Sequence, residues 1–91
     1  MEYHIDYTER AISDLLLLQK DDPKAYVKGR RLIEELRFHP KTGTGKPEPL
    51  KGNRVDQWSR RISRKHRLIY TITDTSITVL VLSAYGHYND K

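Results

Sequence analysis

Glu48 stands between two prolines in the run Gly45-Lys46-Pro47-Glu48-Pro49-Leu50-Lys51, and the run Trp58-Ser59-Arg60-Arg61-Ile62-Ser63-Arg64-Lys65-His66-Arg67 follows it. Arg60, Arg61, Arg64, Lys65 and Arg67 form a cluster of cations with no acid among them, and His87-Tyr88 lies near the end of the chain. A carboxylate, a cluster of fixed cations and an imidazole together suit a phosphodiester. RNA carries its own nucleophile, the 2′-hydroxyl. Its cleavage needs that proton removed, the charge of the pentacovalent phosphorane stabilised and the departing 5′-oxygen protonated. Glu48 suits the base, Arg61, Arg67 and Lys51 the stabilising cations, and His87 the acid. Tyr88 suits stacking on a base or a hydrogen bond to the phosphate. Positioned acids and bases typically contribute ~10²–10⁴-fold each, and preorganised cations act on the charge that develops. The residues therefore point to a small ribonuclease.

Each of these residues also has an ordinary reading. A glutamate in a loop is usually solvated, a strand arginine usually pairs with a surface acid, and a histidine near a terminus is usually just exposed. The arginine cluster weighs against the ordinary reading because no acid lies close to it in sequence. Lys and Arg outnumber Asp and Glu by 17 to 12, and the pI is near 9.6. That balance suits a polyanionic partner. The cations expected to contact RNA are Lys46, Lys51, Arg60, Arg61, Arg64 and Lys65. His4, His39 and His66 show no metal-ligand spacing, so neither a metal nor a cofactor is expected. Gly43-Thr44-Gly45-Lys46 lacks the spacing and the strand–loop–helix context of a nucleotide-binding loop.

The elements that must carry these residues can be read from periodicity and punctuation. The 91 residues suit a single domain, 1–91, with a thin core. The chain has no cysteine, which rules out disulfides and thiolate metal sites. No signal-like segment opens it, and its longest apolar run, Leu15 to Leu18, is far too short to span a bilayer. The cytoplasm is the expected compartment. Tyr3 to Tyr7 alternates as a short strand. Thr8 caps a helix to about Lys20, with Ala11, Ile12, Leu15, Leu16 and Leu18 on one face. Asp22-Pro23 starts a second helix, which carries Ala25, Gly29, Leu32, Ile33 and Leu36 to around Phe38, ahead of Pro40. Residues 39–57 read as one long loop, ordered around Glu48 by its two prolines.

Three strands follow. Trp58, Arg60 and Ile62 share one face of the first, with Ser59, Arg61 and Ser63 on the other. Trp58 is assigned to the core. In the second, Leu68, Tyr70 and Ile72 oppose Arg67, Ile69 and Thr71. Thr73-Asp74-Thr75-Ser76 turns the chain into an apolar strand from Ile77 to Leu82. The expected fold is α+β: a two-helix hairpin packed on a small, mainly antiparallel four-stranded sheet, in the order β-α-α-β-β-β. The helices should cover one sheet face, with Arg61 and Arg67 on the other.

The Lys-Pro-Glu-Pro-Leu-Lys block from Lys46 to Lys51, Trp58-Ser59-Arg60-Arg61-Ile62, His66-Arg67-Leu68-Ile69-Tyr70 and His87-Tyr88 together resemble the YoeB/Txe toxins of the RelE-like superfamily, in bacterial type II toxin–antitoxin systems. The resemblance runs over essentially the whole chain in order and spacing. It implies the RelE-like fold and an mRNA interferase, an endoribonuclease that cuts mRNA in the ribosomal A site and leaves a 2′,3′-cyclic phosphate. Under it Glu48 matches the general base, His87 the general acid and Arg67 the cation on the scissile phosphate. Tyr88, Arg61 and Lys51 match residues that orient substrate and support the site. It further implies a YefM/Axe-like antitoxin, contact with operator DNA only through the toxin–antitoxin complex, and a homodimer. Two features depart from the family pattern: Asn89-Asp90-Lys91 follow the His-Tyr pair, and Ser83-Ala84-Tyr85-Gly86 stands where basic residues are expected. Two alternatives remain at this stage, a non-catalytic inhibitor of translation or of a topoisomerase on the same fold, and a ribonuclease that works without ribosomes.

Overall fold

The computed structural model describes residues 2–51 and 56–86. His87 and Tyr88 fall outside the described residues. The elements are β1 (His4–Tyr7), α1 (Glu9–Asp21), α2 (Pro23–Leu36), β2 (Glu48–Pro49), β3 (Gln57–Arg61), β4 (Arg67–Thr73) and β5 (Thr78–Ser83).

The helix boundaries follow from capping. The Thr8 hydroxyl accepts the Ala11 N–H at 3.0 Å and donates to the Leu82 carbonyl at 2.9 Å, so one side chain both starts α1 and ties it to the sheet. Asp22 separates the two helices. Its N–H bonds back to Leu18, closing α1, and its carboxylate caps α2 at Ala25. Pro23 occupies the first turn of α2, where its missing N–H has no cost. Leu18, Leu32, Leu36 and Ala11 face Ile62, Leu68, Tyr70, Val79 and Val81 of the sheet region. The stripe expected on α1 divides. Ala11 and Leu18 are buried, whereas Ile12 and Leu16 are 51% and 63% exposed.

The sheet corrects the expected strand count. It has five strands in the order β1-β5-β4-β3-β2. β1 runs parallel to β5, and the other pairings are antiparallel. The added strand is the Glu48–Pro49 pair inside what reads as loop. Its two residues sit opposite Ser59 and Trp58 at the sheet edge, where a proline that donates no ladder bond is tolerated. Gly45 makes that approach. It has φ +86°, and its carbonyl accepts the Arg61 N–H at 2.7 Å. A Cβ there would lie 2.9 Å from the Arg61 carbonyl oxygen. Only glycine combines that backbone angle with that closeness.

Candidate active site

Alternation along β3 and β4 divides their side chains between two faces. Arg60 falls on the helix side with Trp58 and Ile62, and it is fully buried. Its guanidinium pairs with Glu35 of α2 and donates to the carbonyls of His39, of Thr42 at 2.6 Å and of Thr44 at 3.3 Å. Its Nε donates to the Tyr70 hydroxyl at 3.2 Å, which in turn donates to the Pro40 carbonyl at 2.8 Å. Burial pushes the Tyr70 phenol up, against the pull of Arg60, which keeps it a donor. Burial would raise the Glu35 carboxyl too, but the Thr44 N–H, the Thr44 hydroxyl and Arg60 together hold it below the ordinary glutamate value. Arg60 therefore cannot serve as an RNA contact. It organises residues 39–45, the segment that delivers Gly45 and Lys46 to the sheet edge.

The opposite face carries the candidate chemistry. Glu48 lies directly across from Ser59, Ser59 across from Ile69, and Arg61 across from Arg67. Directly opposed residues share a face. Ser59 and Ile69 are buried and form the floor, while Glu48 and Arg61 are exposed at the rim. Arg67 is half-buried between them. Its Nη1 lies 3.3 Å from the Ser59 hydroxyl and 4.0 Å from Glu48 Oε2. The Arg61–Arg67 pair places like charges opposite one another, an arrangement that costs stability on a bare sheet and that a bridging anion relieves. A carboxylate and a guanidinium thus meet on one surface, held by three adjacent strands.

Lys46 and Lys51 are exposed on either side of β2, and Arg64 and Lys65 are exposed in the turn between β3 and β4. These four cations flank β2 and the β3–β4 turn in the chain, next to the strands that carry Glu48, Arg61 and Arg67. The chain also brings its C-terminal segment here. The Gly86 carbonyl accepts the Arg67 N–H at 2.9 Å, and His87 is the next residue in sequence. Among the described residues no group of three or more His, Asp or Glu could hold a metal. An open groove of about 450 Å³, lined by residues including Tyr3, Tyr7, Ile33 and Arg37, lies along β1 at the other edge of the sheet and holds none of the candidate residues.

Sequence reasoning missed three side chains here. Ser59 orients Arg67, and the alternation that put it beside Arg61 was the available signal. His66 and Asp14 hold the backbone of residues 84–86, and no local pattern marks either of them.

With this geometry in hand, the relatives of the chain can be placed. Residues 7–88 match the family model described as YoeB-like toxin of bacterial type II toxin-antitoxin system. The chain belongs to the YoeB toxin family. Toxin YoeB of Synechocystis is 43% identical over 84 residues, which cover 92% of this chain and 95% of that protein. Among solved structures, the YoeB/ParE toxin from Agrobacterium tumefaciens is similar with a TM-score of 0.86 at 33% identity, covering 93% of this chain and 99% of that one. A YoeB dimer from Staphylococcus aureus gives 0.81 at 34% identity, and a YoeB–YefM complex from the same organism gives 0.79 at 32%. Each covers 97% of this chain and all of the other. The fold is thus that of the RelE/YoeB toxins, with a fifth short strand added to the four expected, and the chain is the toxin component of a type II toxin–antitoxin system.

Proposed function

We propose that the chain is a ribosome-dependent endoribonuclease that cuts mRNA in the A site by attack of the 2′-hydroxyl on the adjacent phosphate. The observation that carries this reading is the convergence of Glu48, Ser59, Arg61 and Arg67 on one sheet face, beside the point where the chain passes to His87. Glu48 takes the 2′-hydroxyl proton as the O2′–P bond forms. Arg67, oriented by Ser59, and Arg61 balance the charge on the phosphorane oxygens. His87 protonates the 5′-oxygen as the P–O5′ bond breaks, leaving a 2′,3′-cyclic phosphate and a free 5′-hydroxyl. Tyr88 orients substrate beside it. Lys46, Lys51, Arg64 and Lys65 hold the flanking phosphates, an interaction that weakens with salt. No metal or other cofactor takes part in these steps.

The partners proposed are mRNA, the ribosome, a YefM-like antitoxin and a second copy of the chain. Operator DNA is reached only through the antitoxin complex. The solved YoeB dimer and YoeB–YefM complex support the protein partners. So do Ile12, Leu16 and Val27, which expose apolar surface along the helices. No helix among the described residues is long and apolar enough to cross a membrane, and the cytoplasm, where ribosomes are, is the proposed compartment.

Cleavage of a defined mRNA in a purified translation system, with and without ribosomes, tests the reading. Wild type should cut only on ribosomes, and Glu48→Ala, Arg67→Ala and His87→Ala should each lose about 10²-fold or more in rate. Undiminished cutting by all three variants, or arrested translation with intact mRNA, would overturn it.

A further inference from the structure

Strand β5 ends at Ser83, and the next three backbone N–H groups leave the ladder. Side chains receive all three. Asp14 Oδ2 accepts from Ala84 at 3.0 Å and from Tyr85 at 3.3 Å, and His66 Nδ1 accepts from Gly86 at 2.7 Å. Asp14 and His66 are both buried. The Gly86 carbonyl in turn accepts the N–H of Arg67. Residues 66 and 67 therefore hold both backbone groups of Gly86, one through a side chain and the other through the main chain. Gly86 has φ +75°, so the chain turns at this point through a conformation that suits glycine.

His66 is itself fixed. Its N–H lies 3.2 Å from the Ser63 hydroxyl, and its carbonyl accepts from Ile62 and Ser63. Its ring packs on the Tyr85 ring at 4.9 Å, and the Tyr85 hydroxyl donates to Asp21 at 2.6 Å. An imidazole nitrogen that accepts must be unprotonated, so the proton sits on Nε2, 4.0 Å from Asp22 Oδ2.

We propose that His66 is a positioning residue whose Nδ1 sets the starting point of the segment bearing His87 beside Arg67. The proposal rests on the reading that His87 protonates the leaving oxygen. A proton donor must come within hydrogen-bond reach of its target, and a misplacement of about 1 Å can cost ~10²-fold. One hydrogen bond from Gly86 to a buried ring, next to the residue that holds the phosphate, couples the two halves of the site. Protonation of His66 turns Nδ1 into a donor and breaks the bond to Gly86. Among the described residues, the charged groups around this contact include Asp22 between the helices, Asp14 and Asp21 on α1, and the chain neighbours Lys65 and Arg67.

His66→Asn keeps an acceptor where Nδ1 stands and cannot titrate, His66→Gln moves the polar group one atom further out, and His66→Phe removes the acceptor while keeping a ring against Tyr85. Two readouts apply, the Gly86 amide resonance across pH and single-turnover cleavage on ribosomes. In wild type the Gly86 amide should follow an imidazole titration. In the Asn variant it should stay flat and remain protected from exchange, and in the Phe variant protection should be lost. Cleavage should fall about 10²-fold in the Phe and Gln variants with KM unchanged, and Asn should recover to within about tenfold of wild type. A Gly86 amide indifferent to His66 overturns the proposal, as does equal cleavage by the Asn and Gln variants. If the Phe variant does not fold, the Asn–Gln comparison decides. If His87→Ala cuts as well as wild type, the reading of His87 fails instead, and the Gly86 amide still reports on the contact by itself.

Discussion

Replacing Arg60 by Met tests the division of labour between neighbouring arginines. Met keeps most of the aliphatic stem and removes the guanidinium. That leaves Glu35 without its ion pair and the carbonyls of His39, Thr42 and Thr44 without their shared donor. Removing one member of a buried pair typically costs about 3–5 kcal/mol. The Glu35 side chain is 29% exposed and can partly rehydrate, so the lower end, about 3 kcal/mol, is expected. A domain of this size has about 5–14 kcal/mol in all, so the variant should unfold some 12–24 °C lower, at about 4–8 °C per kcal/mol. Chemical denaturation followed by circular dichroism measures the loss. Arg61→Ala, at an exposed position one residue on, should change stability by less than about 0.5 kcal/mol yet weaken cleavage. The double variant Arg60→Met/Glu35→Leu should recover part of the loss, since no charge is left without its partner. A cost below about 1 kcal/mol for Arg60→Met, or equal stability costs at positions 60 and 61, would refute the assignment of Arg60 to the scaffold.

Two further outcomes follow from the same scaffold. Gly45→Ala meets both a positive φ and the Arg61 carbonyl at 2.9 Å; it should cost about 2 kcal/mol and slow cleavage by shifting Glu48, as paired denaturation and cleavage assays would register. The depressed Glu35 carboxyl contributes stability that is fully present above the ordinary glutamate value near 4.5 and is lost as pH falls through the lower folded value. Glu35→Gln should therefore flatten the acid side of the stability–pH curve, and an unchanged acid limb in that variant would count against the contact.

Local signals fixed the helices well. Thr8, Asp22 and Pro23 act within one turn of themselves, and each does what its residue type predicts. Arg60 shows where such reading ends. Alternation put it with Trp58 and Ile62 on the core side, while the density of cations from 60 to 67 pointed outward. Alternation prevailed because strand side chains change face at every residue. The acid that makes the burial tolerable, Glu35, lies on α2, where nothing nearby in sequence announces the pairing. The strand at Glu48–Pro49 escaped for a related reason. A two-residue strand, one glutamate and the proline after it, carries no periodicity, and the left-handed turn at Gly45 and Lys46 brings it to the edge of β3. On α1, Ile12 and Leu16 obey helical spacing yet remain exposed, because periodicity identifies an apolar face without identifying what covers it.

The two halves of the candidate site are held by different means, and the difference bears on regulation. Glu48, Ser59, Arg61 and Arg67 sit on paired strands, whose cross-strand ladder fixes the Glu48 carboxylate and the Arg67 guanidinium relative to each other. Residues 84–86 are held, after the ladder has ended, by the buried side chains of Asp14 and His66, with further bonds from Tyr85 to Asp21 and from the Arg67 N–H to the Gly86 carbonyl. Segments held by few contacts open at lower cost than the sheet that carries them. A partner that engaged this segment would have to break only the hydrogen bonds to Asp14, His66, Asp21 and Arg67, leaving the cross-strand ladder of β2, β3 and β4 intact. The cost of such displacement is then set by these local contacts, Asp14 and His66 foremost, rather than by the stability of the whole domain. Weakening either side chain should lower activity and ease displacement of the segment together, whereas weakening the Arg60 scaffold should lower stability and activity without that second effect.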